Sequence, residues 1–258
     1  MPRISVPNLN IRTKSRKMSL PLPGALGWWF LSDSLESAVR NRVPGMPDAI
    51  VYGLPTAVDS GSALELKGLS NFLETEIVGP VKPDGSRAGL TIFCVGWTLD
   101  TLADVAHRPV FVGADGGLPV FEDTTNTAIG LFLRVFAANA LSLSASRGTD
   151  TATDIANAAN ITGVVNTTPA LMVCRIPAGA GNNTLVNRTT GQTATSAGAA
   201  LPHFPTRQKI RIGSGYANYA GTCRISEVAI YPELTIDQED VVVARLRRNQ
   251  QRRWARVV

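Results

Sequence analysis

A chain of 258 residues, 44% of them hydrophobic and only 17% charged, has enough apolar side chains for one large core, which excludes a charge-solvated, disordered polypeptide. Three cysteines without CxxC spacing, two histidines without a metal-ligand companion and no apolar run of about 18 residues argue against a disulfide framework, a zinc site and a membrane-spanning helix. The net charge of +5 is unevenly placed: residues 1–32 and 241–258 carry five and six basic residues with no acid, while residues 33–240 hold 14 basic and 20 acidic ones.

Residues 1–24 read as a basic arm. Pro2, Pro7, Pro21 and Pro23 break any periodicity, and Arg3, Arg12, Lys14, Arg16 and Lys17 become candidates for contact with an acidic partner. The start lacks the apolar segment of a secretory signal, so the expectation is a product made in a host cytoplasm. Leu26 to Leu31 opens the main domain, Leu35 to Val39 reads as a turn or short helix, and Asn41 to Pro47 as loop. Short strands are then expected near 49–52, 62–66, 72–78, 89–97, 109–113, 129–136, 140–145, 169–176, 184–187, 209–213 and 223–231. Cys94, Cys174 and Cys223 sit inside these apolar patterns and read as small buried hydrophobes. The Ala-, Thr- and Asn-rich stretch from Arg147 to Thr168 is expected as an insertion over the rim, with a helical turn around Asp154 to Ala159.

The most informative segment runs from Lys209 to Val243. Ile210 and Ile212 alternate with Lys209 and Arg211, and a second alternating run follows from Cys223 to Ile230, with Gly213, Gly215 and Gly221 punctuating the connection. Thr235 and Gln238 then form a capping box ahead of Asp237, Glu239 and Asp240, which predicts a helix over residues 235–258. Helical spacing places Ile236, Val243, Leu246 and Trp254 on an inward face, and Arg245, Arg248, Arg252 and Arg256 on an outward one that could meet a partner.

This order resembles the closing motif of the concanavalin A-like, laminin-G-like jelly-roll family, I-G, a loop, then G-x-I-(D/S)-E-V-x-I-Y and a short helix. The matching residues are Ile212, Gly213, Gly221, Ile225, Ser226, Glu227, Val228, Ile230 and Tyr231. Weaker echoes run over most of residues 25–244: LGWWFL, GLTIFCVGW, AIGLFLRVF with LSLSAS, and TPALMVCRIPAG with NNTLVNRTTGQ. Where the family usually turns on Asn-Gly, this chain has Asn187 to Gly191, which leaves that hairpin open. The resemblance implies an all-β fold, a two-sheet antiparallel jelly-roll sandwich over 25–234, with an extended arm before it and a helix after. Family members bind sugars or proteins through rim loops, often with calcium held by Asp and Asn oxygens. Asp115, Asp123, Asn126, Asn182 and Asn183 are the corresponding candidates for sugar or calcium, although such residues also populate turns for backbone reasons alone.

Catalytic signals are sparse. The glucan-cutting enzymes that this fold resembles carry E-x-D-x-E on one strand, whereas the nearest pattern here is Glu74-Thr75-Glu76 without the central Asp. His107 and His203 lie among loop residues, and no G-x-S-x-G elbow or phosphate-cradling loop is present. No catalytic residue is therefore expected. A pI near 9.4 raises nucleic acid as a partner, but the body is net acidic and the tails lack interleaved aromatics beyond Trp254. The favoured expectation is a non-enzymatic structural component of a bacteriophage virion, a decoration, tail or baseplate protein held by its basic arm and helix to other virion proteins or copies of itself. The alternative is a carbohydrate-binding adhesin module for a cell-surface glycan, with a glycan hydrolase disfavoured.

Overall fold

The structure, a computed structural model, describes residues 20–78, 88–116, 130–148, 155–196, 200–255 and 258. In chain order these form β1 (Gly27–Phe30), α1 (Leu35–Ala38), β2 (Ile50–Tyr52), β3 (Thr56–Val58), β4 (Ala63–Lys67), β5 (Phe72–Val78) and β6 (Leu90–Trp97). There follow β7 (Val110–Asp115), β8 (Gly130–Ala137), β9 (Ala140–Arg147), β10 (Ile155–Thr162), β11 (Ala170–Ile176), β12 (Thr184–Asn187), β13 (Gln192–Thr195), β14 (Lys209–Ile212), β15 (Thr222–Pro232) and α2 (Ile236–Trp254). Eight strands make one antiparallel sheet in the order β13-β12-β11-β6-β15-β4-β3, with β1 also paired to β15, and seven make the other in the order β10-β9-β8-β7-β14-β5-β2. The two sheets pack as a jelly-roll sandwich, as the resemblance implies.

Alternation decides which side chains meet between the sheets. Leu90, Ile92 and Cys94 of β6 point inward against residues such as Leu133, Leu143 and Ile212 of the other sheet. Phe93 and Val95 of the same strand point outward, yet they are also buried, because α2 lies across that face with Val242, Val243 and Leu246. A strand covered on both sides has no polar face, so β6 reads LTIFCVGW as a continuous apolar run. All three cysteines are free and buried, and burial pushes their thiols up, which fits the role of small hydrophobes.

Most expected strands are present, and three expectations are corrected. The stretch from Arg147 to Thr168 is not a rim insertion: β10 pairs along its whole length with β9, from Ile155 opposite Arg147 to Thr162 opposite Ala140. Ala159 and Ile161 enter the core, so pairing with a sheet edge overrides the helical lean of the alanines. The hairpin left open at Asn187 does form, joining β12 to β13. The Asn187 side chain accepts from the backbone N–H of Thr189 and Thr190, at 3.1 and 3.3 Å, and Gly191 takes φ +80°, so an Asx turn replaces Asn-Gly. The third correction is the rotation of α2. Its capping box is formed by Thr235 and Gln238 as expected, but Ile236 is 59% exposed. Its inward face is Glu239, Val242, Val243, Leu246 and Gln250. The Trp254 side chain lies outside the described residues.

Buried polar residues fix that rotation. Glu239 is ion-paired to Arg175 of β11 and to Arg188, and Gln250 donates to Glu227 of β15 at 2.8 Å. Glu227 is wholly buried and also accepts from Trp28 Nε1 and Asn249 Nδ2, each at 2.8 Å. Desolvation outweighs these three bonds and the nearby Arg253, raising its carboxyl to about 7. Among the described residues no helix is long and apolar enough to cross a membrane.

Two predictions follow from this docking. Leu246→Ala is expected to cost roughly 2–5 kcal/mol of stability, because the cavity lies between α2 and the sheet. For Glu227, the folded protein keeps its proton up to about pH 7, whereas the unfolded chain releases it near the ordinary value of 4.5. The native state therefore binds more protons between these limits, and the contribution is full below pH 4.5 and lost as pH rises to 7. In urea unfolding, wild type should lose up to about 3 kcal/mol relative to Glu227→Gln over that window. Parallel pH profiles for the two proteins would contradict the assignment.

Candidate functional site

The sandwich has two outer faces, and α2 seals one of them. The other belongs to the seven-stranded sheet. Register places Ile50, Glu74, Arg211, Gly113, Phe132 and Ser144 side by side across it, with Val110, Arg134, Ser142 and Asn160 in an adjoining row. The connection from Gly213 to Gly221 runs over this face at Gly113, where a Cβ would stand 2.8 Å from the Ser214 carbonyl oxygen. Gly213 itself takes φ +82° with its backbone against Leu66, which explains the glycine after Ile212 in the motif. Asp115 anchors the connection by accepting from the backbone N–H of Tyr216 and Ala217, at 2.7 and 2.5 Å. Burial raises its pKa despite these bonds.

On the β2 side of the connection, charges and hydroxyls are internally matched. Arg211 Nε donates to Glu74 Oε2 at 2.9 Å, and the Tyr216 and Tyr52 hydroxyls donate to the same carboxylate at 3.2 and 3.4 Å. Lys209 pairs with Glu76 at 2.7 Å. The Arg211 guanidinium lies 3.4 Å from the Tyr216 ring centroid, and Tyr52, 40% exposed, stacks on Phe72 at 4.7 Å. The Glu74 and Glu76 carboxylates are thus each held by a cation, which removes them as a free acid and nucleophile pair.

On the β8 side the matching stops. Arg134 lies among rings instead of acids, its guanidinium carbon 4.8 Å from the Tyr219 centroid, 5.2 Å from Phe132 and 5.7 Å from Phe136. Its Nε and Nη1 are buried without a hydrogen-bond partner, as is the hydroxyl of Ser142 directly across the ladder. Arg108 lies over the other contact of the cluster, 5.1 Å from the Phe136 ring, which is 38% exposed. Among the described residues no carboxylate pairs with Arg134 or Arg108. Sequence reasoning missed this cluster, although the alternation of Phe132, Arg134 and Phe136 on one strand face was there to be read.

The residues expected from the sequence are dispersed. Asp115 is inside, occupied by the connection described above. Asn183 is fully buried: its Oδ1 accepts from Arg147 Nε at 3.1 Å and its Nδ2 donates to the Ala145 carbonyl at 3.0 Å. Neither offers oxygen to a rim ligand, because each is turned inward to hold a loop. Asn182 is exposed beside it, and Asp123 and Asn126 lie outside the described residues. Among the described residues no group of three or more His, Cys, Asp or Glu is gathered for a metal ion. Arg3, Arg12, Lys14, Arg16, Lys17 and Arg256 also lie outside the described residues, while Arg248 and Arg252 are exposed on α2 and Arg245 is half-buried. His107 pairs with Asp104 at 2.8 Å, and His203 is buried with Nδ1 against the Ala88 carbonyl.

No protein-family model matches this chain, and no curated protein does. Solved structures share its fold. A Trypanosoma rangeli sialidase in complex with sialic acid matches with a TM-score of 0.53 at 16% identity, over 87% of this chain and 33% of that one. The binding domain of Botulinum neurotoxin DC in complex with SialylT matches at 0.54 and 9% identity, over 86% of this chain and 51% of that one. The same domain in complex with rat synaptotagmin II matches at 0.51 and 10% identity, with the same coverage. This chain spans 33% of the sialidase and 51% of the neurotoxin domain, and the likeness is one of fold.

Arg147 shows what a buried cation does when it is structural. Its Nη1 donates to the carbonyls of Pro177 and Gly179, at 2.8 and 2.9 Å, besides the bonds to Asn183, and burial lowers its pKa to about 10. Arg147→Ala would leave the buried Asn183 Oδ1 without its donor and cut the tie to the Pro177 and Gly179 carbonyls, and is expected to cost about 2 kcal/mol. Asn182→Ala, at an exposed neighbour, should shift the melting temperature little, and equal losses in the two variants would refute the distinction.

Proposed function

We propose that this chain is a carbohydrate-binding sandwich module that takes its glycan on the outer face of the seven-stranded sheet. One observation carries the reading: with the opposite face sealed by α2, this face keeps Phe136 and Tyr219 accessible beside hydrogen-bonding groups that lack partners. Sugars call for that combination, since their C–H faces pack on aromatic rings and their hydroxyls need fixed polar groups. The fold likeness to chains solved with sialic acid and with SialylT supports the same direction. Binding without turnover is the form we favour. The Glu74 and Glu76 carboxylates are paired to cations, and Glu227, held near neutral pH, is closed off beneath α2.

A second reading concerns a different surface. Arg248 and Arg252 stand exposed on α2, which favours docking of the helix against an acidic neighbouring subunit, as the assembly expectation requires. Its attribution to a bacteriophage virion rests on the sequence: a lectin-like domain without a catalytic motif, and strongly basic ends on a mildly acidic body. The two readings assign separate faces and are compatible.

On a glycan array, the wild-type chain is expected to retain at least one glycan. Phe136→Ala and Tyr219→Ala should each weaken that binding about five- to tenfold, with little change in melting temperature for the exposed Phe136. Changing Arg245, Arg248, Arg252 and Arg256 to Gln should leave glycan binding intact and make any self- or partner assembly weaker and less salt-sensitive. An array without hits would remove the carbohydrate reading, and unchanged assembly at every salt concentration would remove the second.

A further inference from the structure

Resting on the carbohydrate reading, the geometry points to an acidic sugar as the ligand, its carboxylate held by Arg134 with the Ser142 hydroxyl and the Arg108 charge beside it. The contrast within one sheet face carries the argument. Across the connection, Arg211 and Lys209 each meet a carboxylate at 2.9 and 2.7 Å, so this face does supply acids where its cations require them. Arg134 and Arg108 are given rings instead. An aromatic face stabilises a cation through its quadrupole but neither neutralises the charge nor accepts the in-plane N–H groups.

Three polar atoms are consequently left over in one place. Nε and Nη1 of Arg134 are buried and unpartnered, and Ser142 Oγ, on a residue only 1% exposed, is unpartnered directly opposite in the ladder. Paired positions in an antiparallel ladder set Cβ atoms about 5 Å apart, so one ligand group can serve these donors once the half-buried Tyr219 ring, 4.8 Å from the guanidinium, moves aside to admit it. Leaving buried donors unsatisfied is costly, and more so when one of them is charged. Arg108 adds a second positive charge against Phe136. A neutral sugar would answer the hydrogen bonding but not the charge. A carboxylate answers both, through charge-assisted bonds roughly twice as strong as neutral ones. The remaining ring surface of Phe136 and Tyr219 is then free for the sugar C–H groups.

The test uses the full chain on an array of matched triplets: sialylated and uronic acid-terminated glycans, the methyl ester of each, and the neutral parent lacking the acidic sugar. Retention is expected on acids, with the ester of the best acid bound at least about tenfold more weakly. Arg134→Met, which keeps bulk among the rings, should erase the difference between acid and ester, and Ser142→Ala should reduce it several-fold. If the methionine variant does not fold, Arg134→Lys takes its place; it keeps the charge without the planar fork and should weaken the acid while leaving the ester unchanged. Equal binding of acid and ester in the wild type, or discrimination undiminished by substitution of Arg134, would overturn the acidic-sugar assignment and leave glycan binding standing. Retention of no glycan in any form would remove both.

Discussion

The eight-stranded sheet is apolar on both faces, and the rest of the structure follows from the need to cover each of them. Phe93, Val95 and Tyr231 cannot be left in water any more than Ile92, Cys94 and Ile230 can, so the second sheet closes one side and α2 the other. At about 25 cal/mol per Å² of apolar surface, uncovering either face would cost more than a domain's net stability. Once α2 is committed to that role, the outer surface of the seven-stranded sheet is the large sheet face left for a ligand.

Polar groups inside this frame divide into two kinds. Glu227 with Trp28, Asn249 and Gln250, Glu239 with Arg175 and Arg188, and Arg147 with Asn183 are matched sets that set the rotation of the helix and tie loops to the sandwich end. Apart from Arg188 Nε, their buried donors and acceptors are answered within the chain, and they are structural. Arg134 and Ser142 are the other kind. A half-buried guanidinium, its Nε and Nη1 buried among rings and with no acid among the described residues, is hard to explain as a stabilising device, since hydrophobic residues of similar volume would do that work at lower desolvation cost.

Much of the fold was legible because its signals are local. Alternation in 209–212 and 223–230, the continuous run of β6 and the Thr235–Gln238 capping box each depend on a few consecutive residues, and each is found as expected. The strand from Ile155 to Thr162 was not legible, because alanine and asparagine carry little β preference and only the exposed edge of β9 makes them a strand. The rotation of α2 departs from the apolar count for a related reason. Counting apolar residues alone favours Ile236, whereas the buried ion pairs of Glu239 and the bonds of Gln250 turn the helix another way.

The candidate site shows the same division more sharply. Reading turn-forming Asp and Asn as rim ligands placed Asp115 and Asn183 outside, when both are drawn inward by backbone and arginine donors far off in sequence. By itself the sequence determined the sandwich class, the register-forming alternation, the capped helix and the basic ends, since these follow from local period, capping chemistry and charge count. Only the tertiary structure decided which charges find partners: Arg211 meets Glu74 across 137 residues of chain, and Arg134 meets three rings and no acid among the described residues. Whether a cation is neutralised depends on what the pairing of distant strands brings beside it, and no window of neighbouring residues carries that information.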